Sequence, residues 1–334
     1  MAITQFVKKR ACDLMLLAGL GRYGRFRNRH KLLVIMYHGV TRKRHEDPIW
    51  TQLPLHLFEA QIDFLHRYYH PVTLGQVLRS LHGRERLPER AVLLTFDDGL
   101  KNNYSVAWPI LRAKKIPAVI FLTVDFIGGS AMLWPDELYL LIKGAWEQGV
   151  PVPNPLATCC SQAGTVWQRY VLLIETMKRM KEGQRLEAMA LLSRELPLPA
   201  SDFAEEFALL NWEEVTTMHH HGLIDYGVHT ATHKILSRLS PVELKNEIVS
   251  PKKKLEEKLG HEIQAFCYPN GRSNIDFTNH HKELLRREGY VCAFATDHGL
   301  HTMNDDPFAI RRIAAGNDMT SYPALFELAS AGII

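Results

Sequence analysis

Short apolar runs recur along the chain and are separated by stretches with helical periodicity. Apolar residues at positions 58, 62 and 65 predict a helix over Phe58–Tyr68, and Ser240 ahead of Pro241 is a typical start for a helix that reaches Leu259. Strands that alternate with helices favour a parallel sheet, either open or closed into a barrel. The sequence therefore predicts an α/β fold whose strands are the apolar runs Leu32–Tyr37, Ala91–Phe96, Ala118–Thr123, Leu223–Val228, Ile263–Tyr268, Val291–Ala295 and Phe308–Ile313.

The interval 130–212 interrupts this alternation. It contains a proline-rich linker, Val150–Leu156, and no convincing strand. Its helical patterns are short and bounded by linkers, which favours a helical insertion within one domain, residues 32–325, over a separately folding domain. The patterns cover Glu137–Trp146, Val166–Met180 and Arg185–Leu196. We expect the insertion to line or cover a substrate cleft.

The overall composition is that of an ordinary globular protein. The chain has 334 residues, of which 46% are hydrophobic and 23% are charged. Its five cysteines are odd in number and form no C-x-x-C pair, which argues against a structural zinc cluster or a disulfide framework and favours reduced thiols. Cys267 and Cys292 lie in apolar strands, where we expect inert core residues.

The positive charge is concentrated at the start of the chain. Residues 1–44 contain eleven Lys or Arg and one acidic residue, a balance of +10, so the remainder carries −6 of the total of +4. We interpret residues 1–31 as a basic amphipathic N-terminal arm, which either lies on an anionic membrane surface or packs on the domain with solvated charges. Its helical stripe consists of Ile3, Phe6, Val7, Arg10, Ala11, Leu14, Leu17 and Ala18.

The arm lacks the pattern of a secretory signal. The apolar stretch Leu14–Leu20 is short, has no A-x-A site and runs directly into Arg22 and Arg25. No basic motif interleaved with aromatic residues follows, so we expect no nucleic-acid partner. The sequence predicts a cytoplasmic protein, and peripheral contact with the inner membrane face is one of the two interpretations of the arm.

Three polar clusters each follow a predicted strand directly. They are Thr95–Gly99 (TFDDG), His229–His233 (HTATH) and Tyr268–Gly271 (YPNG). Ligands of parallel α/β folds bind at the carboxyl ends of the strands, so we expect the three clusters to converge there.

The residue types in these clusters suit a metal site. Two histidines at i and i+4 share one face of a helical turn, so both imidazoles can reach one ion, and an aspartate from another strand completes a set with open positions. A divalent ion held in this way lowers the pKa of water or polarises a carbonyl. Of two adjacent aspartates, one serves as ligand while the other is free to accept a proton. Taken singly, H-x-x-x-H is common on helix surfaces and D-D-G is usually a turn.

The motifs TFDDG, H-T-x-x-H and Y-P-x-G, in this order, resemble those of the polysaccharide deacetylases, carbohydrate esterase family 4. The resemblance extends from Leu32 to Ile313 apart from the insertion. It implies a distorted (β/α)7 barrel and a divalent metal, usually Zn²⁺, with Co²⁺, Ni²⁺ or Mn²⁺ as alternatives. It further implies that Asp98, His229 and His233 hold this metal and that Asp97 is the catalytic base.

The resemblance also assigns the third motif to the substrate. Pro269 would shape the pocket wall next to Tyr268, and the backbone N–H of Asn270 would help to hold the oxyanion.

Two features depart from the family pattern. Many members have an arginine two residues before the proline of the third motif, where this chain has Cys267; we expect Arg312 in the last strand to orient Asp97 instead. The C-terminal segment also lacks the Leu-x-His whose histidine protonates the leaving amine. The candidates for this acid are His38, at the end of the first strand, and His298.

The expected reaction is hydrolysis of an N-acetyl amide, or less favourably an O-acetyl ester, on a polysaccharide, an oligosaccharide or a lipid-linked sugar. One alternative is a non-catalytic saccharide-binding protein on the same fold, because the arginine and the terminal histidine are altered. A second alternative is an amide hydrolase that acts on a non-sugar substrate.

Overall fold

Seven parallel strands close into a barrel in the computed structural model, which describes residues 2–43, 45–199 and 203–334. The strands of the described chain are β1 (Leu33–Tyr37), β2 (Gly39–Thr41), β3 (Gln52–Pro54), β4 (His70–Pro71), β5 (Ala91–Phe96), β6 (Ala118–Leu122), β7 (Ile224–Val228), β8 (Ala265–Cys267), β9 (Cys292–His298) and β10 (Ile310–Ala314). Around the barrel the order is β1, β10, β9, β8, β7, β6, β5, and β5 pairs with β1 again from Leu33↔Val92 to Tyr37↔Phe96. The ring therefore has no free edge except where the two-residue β4 extends β5.

Helices surround this barrel. Those of the described residues are α1 (Ala2–Leu17), α2 (Leu20–Arg27), α3 (Leu55–Tyr68), α4 (Leu74–Leu81), α5 (Trp108–Lys114), α6 (Trp134–Glu147), α7 (Ala157–Cys160), α8 (Val166–Lys178), α9 (Glu182–Glu195), α10 (Phe203–Glu206), α11 (Trp212–His220), α12 (Pro241–Leu259), α13 (Asn279–Arg287) and α14 (Pro323–Ser330). None of them is long and apolar enough to cross a membrane.

The strands are mainly apolar because most of their residues are buried on both faces of the sheet. Alternate side chains point into the barrel, where the rings of Phe121 on β6 and Phe294 on β9 lie 5.0 Å apart across the interior. The intervening residues, such as Ile35 and Leu94, pack against the outer helices. Gly227 allows the Phe121 ring to fit, because a Cβ at that position would lie 2.5 Å from ring atoms.

All seven predicted strands are present, with ends that shift by up to three residues. The interval between β6 and β7 forms helices α6 to α11 and no strand among its described residues. Residues of this interval build an apolar cluster of their own around Leu140, Leu173 and Phe207. Strands β2, β3 and β4 were not predicted, because runs of two or three residues leave no periodic signal.

Candidate active site

The three polar clusters meet at the carboxyl end of the barrel, as expected from their positions after strands. TFDDG follows β5, HTATH follows β7 and YPNG follows β8. They border a cleft of about 400 Å³, to which the loop after β1 and the helical insertion also contribute. Its lining includes His38, Trp50, Asp97, Asp98, Asp136, Tyr170, Lys178, His229, His233, Tyr268, Asn270 and Arg272.

Asp98, His229 and His233 converge on one point at the base of this cleft. The Nε2 atoms of His229 and His233 lie 3.4 Å and 3.3 Å from Oδ1 of Asp98. That oxygen is buried and accepts no hydrogen bond from any described residue, which is costly for a carboxylate. Two imidazoles and one carboxylate are a usual donor set for Zn²⁺ with open positions, so the residues present fit a divalent ion.

His229 and His233 have different electrostatic surroundings. Burial alone would lower the pKa of His229, but Cys267, Asp98 and Asp97 raise it well above its usual value, so metal binding would displace a proton from it. The Nδ1–H of His229 donates to the carbonyl of Cys267 at 2.9 Å, which leaves Nε2 free to face Asp98. Burial lowers the pKa of His233 to about 3, so its imidazole is neutral at any ordinary pH. Burial alone would raise the pKa of Asp98, but the nearby imidazoles of His229, His38 and His233 hold it below its usual value. Asp98 is therefore ionised.

The two histidines do not share a helical turn, and this local prediction was wrong. Residues 230–232 form an irregular turn in which Thr230 has φ +64°, and His233 has φ +59°. These left-handed conformations are strained for residues other than glycine. Glu247, buried on α12, accepts from the N–H groups of Ala231 and Thr232 at 3.0 Å and 2.9 Å and from the Thr232 hydroxyl at 2.6 Å. Three hydrogen bonds to one carboxylate thus hold the loop between the two histidines in place.

Arg312 lies beside Asp97 and contacts both of its oxygens. Nη1 donates to Oδ1 at 2.7 Å and Nη2 donates to Oδ2 at 2.8 Å, while Nε donates to the carbonyl of Ala295 at 2.8 Å. The guanidinium is fully buried. Burial would raise the pKa of Asp97, but the Arg312 charge outweighs it and keeps the pKa below its usual value.

Cys267 is buried as predicted, but it is not a core residue remote from the chemistry. Its Sγ lies 3.5 Å from Oδ2 of Asp97 and 3.2 Å from Nη2 of Arg312. The prediction missed this because an apolar strand was taken to face only apolar neighbours. Cys267 therefore packs against the ion pair of Arg312 and Asp97.

The structure separates the two candidates for the acid. His38 lines the cleft, with Nε2 3.9 Å from Oδ2 of Asp98 and its ring 4.7 Å from that of Trp50. His298 lies at the exposed end of β9, where Nε2 is 3.0 Å from the carbonyl of Ile334, and it does not line the cleft. His298 as the acid is therefore a wrong prediction.

The third motif forms one wall of the cleft. Asn270 has φ +60°, its carbonyl accepts from the Thr296 hydroxyl at 2.5 Å, and its N–H has no hydrogen-bond partner among the described residues. Tyr268 borders the cleft, but its hydroxyl donates to the carbonyl of Phe308 at 3.1 Å and its ring stacks on Phe277. Pro269 lies between them. The backbone of Asn270 is thus the group of this motif that can donate to a ligand.

Sequence reasoning missed several residues of the cleft. Asp136 in the first turn of α6 and Lys178 at the end of α8 come from the insertion, and Trp50 comes from the loop before β3. Burial raises the pKa of Asp136 well above its usual value, and the Asp98 carboxylate adds to this effect. None of these residues belongs to a motif, so the sequence contained no signal for them beyond the expectation that the insertion lines a cleft.

The sequence that forms this barrel and its aspartate and histidine cluster matches the model of a known protein family. The model described as polysaccharide deacetylase matches residues 84–150 and 175–290, together more than half of the chain, and the chain belongs to this family. The matched segments contain Asp97, Asp98, His229 and His233, while His38 and Arg312 lie outside them.

Individual proteins resemble this chain either in the sequence of one segment or in the overall fold. A poly-beta-1,6-N-acetyl-D-glucosamine N-deacetylase of Escherichia coli (strain K12) is 47% identical over 73 residues, which are 21% of this chain and 11% of that protein. IcaB from Ammonifex degensii has 20% identity and a TM-score of 0.58 over 91% of this chain and 98% of its own. The Streptococcus pyogenes deacetylase PplD, in complex with acetate, has 19% identity and a TM-score of 0.58 over 89% and 97%.

Proposed function

We propose that this protein is a metal-dependent deacetylase that hydrolyses N-acetyl groups on a polysaccharide or a lipid-linked sugar. The observation that carries the proposal is the buried, unpartnered Oδ1 of Asp98 between the Nε2 atoms of His229 and His233. The E. coli relative named for poly-beta-1,6-N-acetyl-D-glucosamine supports an N-acetylated sugar polymer as the substrate class.

Asp98, His229 and His233 would hold the ion, and Zn²⁺ is the ion that this donor set suits best, with Co²⁺, Ni²⁺ and Mn²⁺ as substitutes. Such an ion, when bound, acts as a Lewis acid that lowers the pKa of water and polarises a carbonyl.

Asp97 accepts the proton of the attacking water in this mechanism. Its lowered pKa keeps it ionised and makes it a weak base, which is sufficient only for a water that has already been acidified. The two hydrogen bonds from Arg312 fix both oxygens, so that the remaining lone pairs face the cleft in one orientation. Asp97 can therefore act as the base only if the metal site is occupied.

The hydroxyl of the water adds to the acetyl carbon, and the carbon–nitrogen bond then breaks. The free N–H of Asn270 donates to the acetyl oxygen as it gains negative charge. His38, whose Nε2 lies 3.9 Å from Oδ2 of Asp98, passes the proton that Asp97 accepted on to the leaving nitrogen, so both groups return to their starting forms. Burial lowers the pKa of His38 despite the nearby aspartates, so its imidazole is neutral before the reaction and releases this proton readily. The products are acetate and an amino sugar.

The cytoplasmic location is part of the proposal, supported by five free cysteines. Subcellular fractionation with an antibody to the chain tests it.

Mass spectrometry of the products tests the substrate class. The zinc-loaded protein is incubated with oligomers of β-1,6-linked and β-1,4-linked N-acetylglucosamine and with an O-acetylated oligosaccharide. We expect free amines on an N-acetylated oligomer and intact O-acetyl groups. Loss of O-acetyl groups alone would contradict N-deacetylation, and binding without any product would favour the non-catalytic saccharide-binding alternative. Hydrolysis confined to simple non-sugar amides would favour the remaining alternative.

A further inference from the structure

Helix α1 presents its apolar stripe to solvent and not to the barrel. Val7, Leu14 and Leu17 lie on one helical face and are 59%, 66% and 84% exposed. The opposite face packs on α14 through Cys12 and Leu16. Packing on the domain, which was one interpretation of the stripe, therefore uses other residues and leaves the stripe uncovered.

Helix α2 also exposes apolar side chains. Tyr23 and Phe26 are 54% and 66% exposed, whereas Gly21 and Gly24 on the other side are buried. A Cβ at Gly24 would lie 2.7 Å from the carbonyl oxygen of Ala331, so this close approach determines which face of α2 points outwards.

The arm carries cations as well as these apolar side chains. The paired arginines of the arm are Arg25, which contacts Glu327 at 2.6 Å, and Arg29, which contacts Glu89 at 3.1 Å. Five further cations are exposed and form no ion pair with a described residue: Lys8, Arg10, Arg22, Arg27 and Lys31. Arg10 lies within the stripe, so the arm exposes apolar and positively charged side chains together.

We propose that α1 and α2 form a docking surface for an anionic phospholipid bilayer, with the apolar stripe at the boundary between headgroups and acyl chains. Clustered lysines and arginines bind anionic headgroups, while exposed leucines and phenylalanines gain from leaving water. A second copy of the chain is a poorer occupant, because two such surfaces would bring like charges together. Since neither helix can cross a membrane, both lie in the plane of the surface. The proposal does not rest on the proposed deacetylase activity.

The arm contacts the segment that joins β10 to α14. The hydroxyl of Tyr322 donates to Asp13 at 2.8 Å, and Lys9 lies 5.0 Å from the centroid of the same ring. Tyr322 directly precedes α14. These contacts hold α1 on the domain and leave its apolar stripe exposed.

Vesicle co-sedimentation of the full-length, metal-free protein without sugar tests this surface separately from the catalytic proposal. We expect binding to vesicles of phosphatidylcholine with phosphatidylglycerol, weaker binding to phosphatidylcholine alone, and a loss of binding as salt increases. The double variant Leu14→Gln/Leu17→Gln should bind about tenfold more weakly, and Arg22→Gln/Arg27→Gln should weaken binding to a similar degree at low salt.

The double variant Leu186→Gln/Val242→Gln is the matched control, because both residues are exposed apolar side chains outside the arm. It should bind as the wild type does, and all variants should keep the wild-type melting temperature. Absence of wild-type binding to anionic vesicles would overturn the proposal, as would unchanged binding of Leu14→Gln/Leu17→Gln. A wild-type dimer that dissociates in that variant, without any vesicle binding, would assign the surface to a second copy and also overturn it.

Discussion

Arg312 holds Asp97 through two parallel hydrogen bonds, Nη1 to Oδ1 at 2.7 Å and Nη2 to Oδ2 at 2.8 Å, although 215 positions separate the two residues. The pair connects β10 to the end of β5, the two strands that flank β1 where the barrel closes. Because both groups are buried, neither charge is tolerated without the other. The position of the proposed base is thus determined by a residue from the last strand.

Replacement of Arg312 by Met should move the acid limb of the pH–rate profile to higher pH. In the wild type the lowered pKa of Asp97 means that its ionised form stabilises the fold above its ordinary pKa of about 3.9, and this contribution is lost as pH falls through the lower folded-state value. Without Arg312, burial raises the pKa of Asp97, so protonation inactivates it earlier. The profile of kcat/KM with saturating zinc measures this, with Arg311→Met, an exposed neighbour, as the control. An unmoved acid limb in an active variant would contradict the orienting role.

Asp97→Asn should keep the metal and lose turnover. Asn retains a hydrogen-bond acceptor for Arg312 but cannot take a proton, and loss of a general base typically costs about 10²–10⁴-fold in rate. Zinc content by atomic absorption and kcat measured on the same sample separate the two effects. Full activity of a zinc-loaded Asp97→Asn sample would exclude Asp97 as the base.

His229→Ala should lose the metal, because it removes one of the three proposed ligands and leaves only Asp98 and His233. His298→Ala removes an exposed histidine outside the cleft and should bind zinc normally. Isothermal titration of both metal-free proteins with zinc compares them. Equal affinities would show that the ion, if it binds, binds elsewhere.

Glu247→Ala should weaken zinc binding although Glu247 does not touch the ion site. Its carboxylate accepts three hydrogen bonds from Ala231 and Thr232, which hold the turn between the two histidine ligands. Loss of groups that orient metal ligands usually costs about 10–100-fold in affinity. The same zinc titration measures it, with the exposed Glu257→Gln on the same helix as the control. Unchanged affinity would mean that the turn holds its shape without Glu247.

Asp136→Asn should stabilise the metal-free protein at neutral pH. The raised pKa of Asp136 means that the folded state favours its protonated form, so wild-type stability is greatest below the ordinary pKa and falls as pH rises through the folded-state value. Asn resembles the protonated form at every pH. Chemical denaturation with a chelator present should therefore show a gain for the variant that vanishes near pH 3. A gain that is independent of pH would contradict this origin.

Much of the barrel follows from local sequence. The runs at β1 and β6 are apolar on both faces, which is typical of parallel strands covered by helices, and the polar clusters directly follow strand ends. The prediction that Asp97, Asp98 and His229 lie in the cleft therefore required only the topology of the fold. The contact between Arg312 and Asp97 could not be derived from local sequence, because it depends on how the barrel closes.

Other features depend on contacts that no local pattern encodes. The sequence around Glu247 predicts an ordinary helical glutamate, because its hydrogen bonds are made with the distant loop after β7. The position of Asp136 in the cleft depends on the placement of α6 at the end of the barrel. The segment between His229 and His233 is not helical, although the spacing of the histidines suggested a helical turn. Its three hydrogen bonds to Glu247 outweigh the local preference for a helix.

Acetate release from an N-acetylglucosamine oligomer, measured before and after removal and restoration of zinc, tests the central proposal most directly. Chelation should abolish release by the wild type, and stoichiometric zinc should restore it. The His229→Ala variant should stay inactive after the same treatment. Acetate release that persists at the full rate without metal, or that His229→Ala retains, would contradict a deacetylase centred on Asp98, His229 and His233.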